Sequence, residues 1–392
     1  MNGRAKSFFI ASEKDIKSGK TTDVCFKKTV EILQKAKCSK QVKAEVRVSS
    51  LPENYSWAVL SGIEEVICLL SNLKANIQVL AEGTIFKEEM PVLSIIGEYT
   101  EFAMLETAIL GLLCQSSGIA TKAARCRIAA GQRTLLSFGA RQMHPALSPM
   151  IDRAAFIGGY NGVSVIKSAE MLQEKPQETM PHSLVLVLGS SEEAFRLFHE
   201  TESAKKIVLI NTLGDEKFEA IKAAQILGND LFALQLDTND SRQGNFKKIL
   251  EEVRWELDLR GFNHVKLFAS GGLDEYSIQK LNPVADGYGV GTALSNAPVI
   301  NFSMDIIEIE GVPMAKRGKM SGSKAVYRCT NCYQTKVVSM QKDILPSCSC
   351  NGRLQSLLLP IMTDGRLERQ ILSPQEIRTY VLNQLGNMKL GL

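Results

Sequence analysis

The sequence predicts an α/β protein built from an N-terminal α+β domain, an irregular α/β barrel and a small C-terminal module. Helical and strand patterns are mixed up to about residue 105, and short strands then alternate with amphipathic helices up to about residue 295. Four cysteines are clustered near the C-terminus. The expected domains are residues 1–115, 116–298 and 299–392, with the last region returning to the N-terminal domain and carrying the module at about residues 326–358.

Composition excludes several classes of protein. The chain has 392 residues, with 46 basic and 42 acidic side chains and a formal net charge of +4. A hydrophobic fraction of 45% with 22% charged residues is that of a folded globular protein, and the charge is too weak to indicate nucleic acid. Apolar runs fall short of the roughly 20 residues that span a bilayer, and Phe8–Ala11 is too short for a signal-peptide core. We therefore expect a cytoplasmic protein with neither a membrane partner nor a nucleic-acid partner.

The first part of the chain mixes the periodicities of helices and strands. Asp23–Lys37 has apolar residues near helical spacing. Three short apolar runs predict strands at Lys43–Val48, Trp57–Leu60 and Gln78–Leu80. One long helical pattern follows over Tyr99–Ala130, with a predicted break at Ser116–Gly118. Its first half is apolar on nearly all sides, which indicates a buried helix.

After Gly131 the pattern becomes a series of strands, most of them followed by an amphipathic helix. The predicted strands are Thr134–Phe138, Lys206–Asn211, Phe232–Asp237, His264–Ser270 and Val284–Val290. The predicted helices are Ser164–Gln173, Glu216–Leu227, Phe246–Leu259 and Glu275–Leu281. Such alternation indicates βα units in a parallel sheet, and about six units favour a barrel, complete or incomplete, over an open sheet. The short run Ser183–Leu188 fits either a strand or a buried helix.

In a parallel α/β barrel the functional groups lie on the loops that follow the strands. Gly139, Arg141 and His144 follow the first of these strands, and Asp237 and Arg242 follow the strand near residue 236. The last two strands end in glycine-rich loops, Ser270-Gly271-Gly272 and Gly289-Val290-Gly291-Thr292. Because glycine lets backbone N–H groups approach a phosphate closely, these loops indicate a phosphate site, although each also fits a tight turn. Asp237 fits a metal ligand, a ribose ligand or a helix N-cap.

The clustered cysteines have the form C-x2-C, fifteen intervening residues and C-x-C: Cys329, Cys332, Cys348 and Cys350. This spacing resembles a four-cysteine zinc ribbon or knuckle, in which the thiolates surround one tetrahedral ion. In a cytoplasmic chain disulfides are less expected than a metal site. The sequence therefore predicts a structural Zn²⁺, and a vestigial site without metal is the alternative. The other five cysteines are expected to be small buried side chains.

A series of strings occurs in consistent order between about residues 18 and 320. They are Glu106-Thr107 with Ser117–Thr121, Phe138–Pro145, Gly158–Ser164, Glu178–Ser183, Leu236–Thr238 with Ser241-Arg242, Ala269–Asp274, Gly289–Thr292 and Gly311–Lys319. In this order they resemble the nicotinate phosphoribosyltransferases. The chain is most similar to their short archaeal-type form, which carries a C-terminal zinc-knuckle-like module.

This resemblance implies an N-terminal α/β domain, an irregular α/β barrel, and a homodimer or higher oligomer whose active sites are completed by the neighbouring subunit. It implies that nicotinate and phosphoribosyl pyrophosphate react to give nicotinate mononucleotide and pyrophosphate, a step of NAD biosynthesis. It also implies that ATP hydrolysis is coupled to this step through a phosphohistidine, with Mg²⁺ on the pyrophosphate.

Residue roles follow from the same resemblance. His182 matches the phosphate acceptor, Asp237 lies where ribose and magnesium are held, and Arg141 matches the arginine that holds the nicotinate carboxylate. The other expected nicotinate contacts are Gly139, His144 and Phe26. The expected contacts of phosphoribosyl pyrophosphate are Ser270, Gly271, Gly272, Gly291, Thr292 and Arg242.

The chain departs from the family pattern in two places. The family's Thr-Asp-x-Tyr string reads Thr22-Asp23-Val24-Cys25, which leaves Phe26 as the neighbouring aromatic residue. The family's Arg-Leu-Asp string reads Gln235-Leu236-Asp237. The resemblance also favours a helix from about Pro181 over a strand at Leu184–Leu188.

Two other functions are open from the sequence. Quinolinate phosphoribosyltransferase shares the barrel, but a dicarboxylate needs several arginines and lysines around the ring, and only Arg141 lies within Phe138–Pro145. A non-catalytic zinc-ribbon protein that binds nucleic acid is the other, although only Tyr327 and Tyr333 supply aromatic side chains near the cysteines.

Overall fold

The computed structural model describes residues 8–177, 179–201, 206–238, 244–341 and 346–390. The chain divides into two compact units. The first contains the chain up to Gly118 together with Pro298–Ser373, and the second contains Ile119–Ala297 together with Pro374–Leu390. The expected region 299–392 is therefore divided between the units. Its last helix belongs to the second unit because Arg378 Nε donates a 2.9 Å hydrogen bond to the carbonyl of Tyr160.

The described strands, in chain order, are β1 (Gln41–Ser50), β2 (Ala58–Val59), β3 (Asn76–Leu80), β4 (Ile85–Phe86), β5 (Pro91–Glu98), β6 (Thr134–Ser137), β7 (Gly162–Val163), β8 (Lys206–Leu209), β9 (Leu231–Leu236), β10 (Lys266–Ala269), β11 (Gly287–Val290), β12 (Asn301–Ile309), β13 (Val312–Pro313), β14 (Lys324–Cys329), β15 (Thr335–Ser339), β16 (Leu354–Ser356), β17 (Leu358–Thr363) and β18 (Arg366–Leu367).

The described α-helices are α1 (Glu13–Lys17), α2 (Val24–Lys35), α3 (Ile63–Leu70), α4 (Tyr99–Phe102), α5 (Glu106–Ala130), α6 (Ser148–Ile157), α7 (Ile166–Leu172), α8 (His182–Leu188), α9 (Ser191–Thr201), α10 (Glu216–Leu227), α11 (Phe246–Leu259), α12 (Glu275–Leu281), α13 (Thr292–Ser295) and α14 (Pro374–Leu385). Short 3₁₀ turns occupy Ala103–Leu105, Gly139–Gln142, Pro145–Leu147 and Gly228–Asp230.

The first unit is built on an antiparallel sheet in the order β13-β12-β1-β5-β3-β17-β18. Strand β1 pairs with β12 and β5, and its side chains from Val42 to Val48 are buried. The apolar ones, Val42, Ala44, Val46 and Val48, form one hydrophobic core with α3 and the first half of α5. The strands predicted at Lys43–Val48 and Gln78–Leu80 are confirmed within β1 and β3, while the one predicted at Trp57–Leu60 is reduced to the two residues of β2.

The cysteine-bearing module is a small antiparallel sheet in the order β15-β14-β16 within the first unit. Val326 of β14 is fully buried in the core of that unit. Lys324, at the start of β14, is 6% exposed and lies 3.1 Å from the carboxylate of Glu45 on β1. The module therefore shares both an apolar core and a buried ion pair with the large sheet.

The second unit contains a parallel sheet in the order β7-β6-β11-β10-β9-β8. Among the described strands, β7 and β8 each pair on one side only, so the barrel is open between them. Apolar side chains of four strands (Leu136, Ile207, Ala233 and Phe268) form one cluster, and a second, larger cluster joins the strands to the surrounding helices. The predicted irregular α/β barrel is thus confirmed as a partial barrel.

The ambiguous run at Ser183–Leu188 is helical. Helix α8 begins after Pro181, whose extended backbone makes it the N-cap, and ends at Gly189, which has a left-handed φ of 72°. Proline suits a helix start because the first turn leaves its N–H groups unpaired in any case, and glycine suits a left-handed C-cap. The helix expected from about Pro181 is confirmed, and the strand alternative is wrong.

Helix α5 is continuous, so the predicted break at Ser116–Gly118 is wrong. The side chains of Ser116 and Ser117 both bond Ser61, with distances of 2.8 Å to its hydroxyl and 3.1 Å to its carbonyl. A Cβ on Gly118 would stand 2.4 Å from the carbonyl oxygen of Pro298, so glycine permits a close backbone contact. Ser116, Ser117 and Gly118 thus make tertiary contacts within a continuous helix and do not interrupt it.

Residues Tyr99–Ala130 are the one stretch of the described chain that is long and apolar enough to span a bilayer. The expectation that no run approaches this length therefore needs correction. Both halves of α5 nevertheless lie in protein cores, because Ile109 and Leu113 are fully buried in the first unit and Ala123 and Cys126 in the second. We interpret this stretch as a core helix.

Candidate active site

A cavity of about 950 Å³ lies at the carboxyl ends of β6, β9, β10 and β11, within the second unit. Most of the residues that the sequence predicts for the site line it: Arg141, His182, Asp237, Ser270, Gly271, Gly272, Gly291 and Thr292. The strands are parallel, so their carboxyl ends meet at one edge and bring residues from distant parts of the chain together. A neighbouring cavity of about 1220 Å³ shares His182, Asp237, Gly271 and Gly272 with the first.

The loop after β10 brings its own backbone close to the carboxylate of Asp237. Gly271 and Gly272 have φ angles of 90° and 63°, which residues other than glycine rarely adopt. A Cβ on Gly271 would stand 2.6 Å from Asp237 Oδ1, so only glycine fits this approach. Neither backbone N–H donates to another described group. Two unpaired amides beside the cavity are suited to an anion.

Ser270 is held by Gln235, whose contact with it the sequence did not suggest. Gln235 Nε2 donates a 2.9 Å hydrogen bond to Ser270 Oγ, and that hydroxyl lies 3.3 Å from the carbonyl oxygen of Leu236. The Ser270 proton is therefore directed into the sheet. Gln235 stands where the family pattern has arginine, so this wall of the cavity carries an amide instead of a positive charge.

Asp237 directly follows β9 and lines both cavities. Its carboxylate makes no hydrogen bond or ion pair with any residue that the structure describes. The next residue, Thr238, is buried and donates from Oγ1 to Glu216 at 2.9 Å. Asp237 is therefore positioned by its strand and its buried neighbour, and no described residue occupies its carboxylate oxygens, which suit a cation or hydroxyl groups.

His182 is the first residue of α8 and also lines both cavities. Its Nδ1 lies 2.9 Å from Thr212 Oγ1, at the loop after β8. Nε2 has no hydrogen-bond partner within the described ranges. One ring nitrogen is thus anchored to the protein, and the other is free to react.

Arg141 lies on the 3₁₀ turn after β6. It is exposed and makes no hydrogen bond or ion pair with the described residues. Among the residues known to line the cavity, it is the only arginine or lysine. Its guanidinium is therefore the one permanent positive charge that this described wall offers to an anionic ligand.

Four expected site residues are not gathered in this cavity. Gly139 is buried beneath it, where a Cβ would stand 3.3 Å from the carbonyl oxygen of Gly291. His144 is exposed, and its Nδ1 accepts the N–H of Ala146 at 3.2 Å, as an N-cap does. Arg242 lies outside the described residues. Phe26 belongs to the first unit, as described next.

Phe26 lines a separate cavity of about 490 Å³ in the first unit. Glu106 and Asp305 also line it. Burial, together with the charge of Asp305, raises the pKa of Glu106 to about 7. Burial alone would raise the pKa of Asp305 as well, but hydrogen bonds from Lys316 and Lys319 lower it below its usual value. The expected aromatic contact of nicotinate thus lies in a different unit from Arg141.

The four clustered cysteines converge on one point. Sulfur–sulfur distances are 3.4 Å for Cys329–Cys350 and for Cys332–Cys348, and all four sulfurs lie within 4.8 Å of one another. Thiolates at about 2.3 Å from a tetrahedral zinc ion stand roughly 3.8 Å apart, so the spacing fits such an ion. Backbone N–H groups, that of Cys332 first, lower the pKa of the Cys329 thiol. The N–H of Gln334 acts in the same direction on Cys332, but hydrogen bonds with the other thiols outweigh it and raise the pKa of Cys332, so without metal the cluster favours one thiolate, at Cys329.

Two domain models of one protein family match consecutive parts of the chain. The N-terminal domain of quinolinate phosphoribosyl transferase matches residues 23–117, and its C-terminal domain matches residues 119–305. The gap between them coincides with the boundary between the two units after Gly118. The chain belongs to the type II phosphoribosyltransferases.

Individual relatives agree with this family. The crystal structure of nicotinate-nucleotide pyrophosphorylase from Pyrococcus furiosus is 49% identical, covers 98% of this phosphoribosyltransferase and 99% of its own chain, and superposes with a TM-score of 0.95. Human nicotinic acid phosphoribosyltransferase shares the fold, with a TM-score of 0.75 at 16% identity over 94% of each chain. Nicotinate phosphoribosyltransferase pncB2 of Mycobacterium tuberculosis is 31% identical over 302 residues, which are 74% of this chain. The chain spans only 63% of that mycobacterial protein.

Sequence reasoning missed two hydrogen bonds by which polar residues of this phosphoribosyltransferase hold the site residues in place. Thr212 contacts His182, and Gln235 contacts Ser270. Both could have been noticed, because Thr212 follows a predicted strand and Gln235 is a polar residue inside one. The residues that they contact could not have been predicted, because the contacts join residues 30 and 35 positions apart in the sequence.

Replacing Cys329 and Cys332 together with serine is expected to remove about one zinc ion per chain and to loosen the C-terminal module. Four protein ligands leave no open coordination position, so the ion contributes folding energy instead of chemistry. Metal analysis of the purified double variant measures the loss, and proteolysis near residue 340 reports the loosening. Cys38→Ser, at a cysteine outside the cluster, is the control. A full zinc complement in the double variant would contradict the assignment.

Proposed function

We propose that this phosphoribosyltransferase joins nicotinate to phosphoribosyl pyrophosphate, giving nicotinate mononucleotide and pyrophosphate, in the cytoplasmic salvage of NAD precursors. The observation that carries this proposal is Arg141, which lies on the wall of the barrel cavity and has no partner among the described residues. A guanidinium meets a carboxylate through two parallel N–H···O bonds. A single cation suits the one carboxylate of nicotinate better than the two of quinolinate. The name of the mycobacterial relative supports the same substrate.

The opposite wall supplies what phosphoribosyl pyrophosphate needs. Loss of pyrophosphate develops positive charge on the ribose and negative charge on the leaving group. The unpaired amides of Gly271 and Gly272, with Gly291 and Thr292, would bind the 5′-phosphate. The free carboxylate of Asp237 would hold the ribose hydroxyls and Mg²⁺, and the ion would neutralise charge on the departing pyrophosphate. Ser270 would contribute its backbone more than its hydroxyl, which bonds within the sheet.

ATP hydrolysis is coupled to the synthesis through His182. The lone pair of neutral imidazole attacks the γ-phosphorus of ATP, an N–P bond forms, and the bond to the bridging oxygen breaks with its electrons leaving on ADP. Water later hydrolyses the phosphohistidine to orthophosphate and restores the imidazole. The free Nε2 beside two cavities supports this role.

The other parts of the chain have supporting roles. The cysteine module would hold a structural Zn²⁺, since its four sulfurs lie within 4.8 Å of one another. The active protein is a homodimer or a higher oligomer with shared active sites. The resemblance of the Thr22–Phe26 string to the family pattern supports such sharing. In the shared site the ring of Phe26 from a neighbouring subunit would pack on the pyridine.

A pyrophosphate-release assay tests the function. Nicotinate, nicotinamide and quinolinate are each offered with phosphoribosyl pyrophosphate and Mg²⁺, with and without ATP. We expect turnover with nicotinate, stimulated by ATP, and at least tenfold less with nicotinamide, because its NH₂ group would face Arg141 donors and leave them unpaired. Release of pyrophosphate with quinolinate but not with nicotinate would overturn the proposal, as would inactivity with all three.

Arg141→Lys is expected, in the same assay, to raise the KM for nicotinate by about tenfold to hundredfold. Lysine keeps the charge but lacks the planar fork, so one of two charge-assisted bonds is lost. The KM for phosphoribosyl pyrophosphate should change little. Arg260→Lys, in an exposed ion pair with Glu256 on α11, is the matched control. Equal rises in both constants would mean that Arg141 serves the phosphates or the fold.

A further inference from the structure

His182 is anchored by one hydroxyl group. Its Nδ1 lies 2.9 Å from Thr212 Oγ1, whereas Nε2 has no partner among the described side chains and backbone groups. The hydrogen bond made by one imidazole nitrogen decides which nitrogen carries the proton. A threonine hydroxyl can accept from Nδ1–H or donate to a bare Nδ1. When Oγ1 accepts, the lone pair of the neutral ring is on Nε2, the nitrogen without a described partner.

Thr212 is in turn fixed by a buried carboxylate. Glu219 of α10 is 4% exposed and accepts the backbone N–H of Thr212 at 3.0 Å and that of Gly214 at 3.1 Å. The hydroxyl of Ser191 donates to it as well, and the N–H of Leu213 lies at 3.4 Å. A buried carboxylate is costly unless hydrogen bonds satisfy it, and here neutral donors, most of them from one loop, do so. The loop after β8 is thus wrapped around the Glu219 side chain.

The residue before Thr212 adopts a left-handed turn. Asn211 has a φ of 65°, a conformation that asparagine tolerates better than most residues other than glycine. Its Nδ2 lies 3.4 Å from Thr238 Oγ1, which itself donates to Glu216. Glu219 holds the backbone of this loop directly, and Glu216 holds it through Thr238 and Asn211. The loop backbone that carries Thr212 is thus fixed, and the described partner of the Thr212 hydroxyl is His182.

We propose that Thr212, held by Glu219, is a positioning residue that keeps His182 as the Nδ1–H tautomer with Nε2 as the nucleophile. This inference rests on the proposed phosphohistidine. When Nε2 bonds to the γ-phosphorus and ADP departs, the ring becomes cationic, and its Nδ1–H remains donated to Thr212 Oγ1. The Thr212–Glu219 pair would then act on the orientation of the ring and on no atom of ATP.

The test compares Thr212→Val, which keeps the shape but loses the hydroxyl, with Thr212→Ser, which keeps the hydroxyl. In single-turnover reactions with labelled ATP, the valine variant should form phosphohistidine about tenfold to hundredfold more slowly, and the serine variant close to the wild-type rate. In ¹⁵N-histidine spectra the Nδ1–H tautomer of His182 should dominate in the wild type and fall in the valine variant. Thr379→Val, whose hydroxyl bonds only its own helix, is the matched control.

Each outcome decides the inference. A valine variant that keeps the wild-type tautomer overturns it, whatever the rate, because Thr212 would then act on ATP or on the fold. If the wild type forms no phosphohistidine at all, the ATP coupling of the proposed function fails, while the tautomer comparison still decides the positioning role. Glu219→Gln should give the same loss of tautomer in smaller measure, because an amide has only one oxygen to accept the N–H groups of the loop.

Discussion

Replacing His182 with alanine is expected to make nicotinate mononucleotide synthesis insensitive to ATP. The alanine side chain offers no lone pair, so no phosphoenzyme can form at this position. The rate with ATP should fall to the rate that the variant shows without ATP, and the stimulation factor should become one. No other described histidine lines the barrel cavity, so no second imidazole there can take over the role of His182.

Two measurements check this expectation. Pyrophosphate release with and without ATP gives the stimulation factor, and acid-labile, base-stable phosphate on the protein measures the phosphohistidine. His264→Ala is the matched control, since His264 is exposed and its Nε2 lies 3.3 Å from the carbonyl of Gly228, away from the cavity. Acid-labile phosphate that still forms on the His182→Ala protein would show that another residue accepts the γ-phosphoryl group.

The carboxyl ends of the strands were the most predictable part of the site. Arg141, Asp237 and Gly271 come from three different βα loops, yet the cavity collects them, because parallel strands of one sheet end at one edge. A strand pattern followed by a polar or glycine residue is visible in the sequence. The position of these residues around the cavity therefore follows from periodicity and from one rule about barrels.

Contacts that hold those residues were not predictable to the same degree. Gln235 and Thr212 were missed because each acts on a residue from another loop, and no local pattern encodes such a pairing. The break predicted at Ser116–Gly118 failed for a related reason. Serine and glycine interrupt an isolated helix, but here Ser61 bonds both serines and the backbone at Pro298 requires a glycine. Tertiary contacts overrode the local propensity.

A buried group of charged side chains near the glycine loop also could not be predicted from the sequence. Glu275 is the first residue of α12, and Asp274 is the N-cap of that helix. Both come shortly after the predicted phosphate loop Ser270–Gly272. Its carboxylate lies 2.8 Å from Arg125 Nε and 2.8 Å from Lys122 Nζ, both on α5. Arg125 and Glu275 are each 1% exposed, and Arg125 Nη1 also donates to the carbonyl of Leu390 at 3.1 Å. One carboxylate thus joins the loop helix to α5, and Arg125 extends the link to the C-terminal segment.

Glu275→Gln is expected to destabilise the second unit by about 3–5 kcal/mol. Removing one partner of a buried ion pair takes away the attraction that offset the desolvation of the others. Glutamine has nearly the same shape, so the loss measures charge and not a cavity. Denaturant unfolding gives the difference, and Glu251→Gln, at a partly exposed carboxylate that pairs with Lys248, should cost far less. Equal, small losses in the two variants would show that the buried group does not stabilise the fold.

The destabilisation expected of Glu275→Gln should depend on pH in a definite direction. Burial raises the pKa of Glu275, but hydrogen bonds from Lys122 and Arg125 outweigh burial and lower the pKa below its usual value of 4.5. A carboxyl whose pKa is lower in the folded chain than in the unfolded chain stabilises the fold above the unfolded pKa. That stabilisation disappears as the pH falls through the folded pKa. The free-energy difference between wild type and Glu275→Gln should therefore be full at pH 7 and should narrow below pH 4.5, whereas a difference that is constant down to acid pH would mean that the carboxylate charge is not its source.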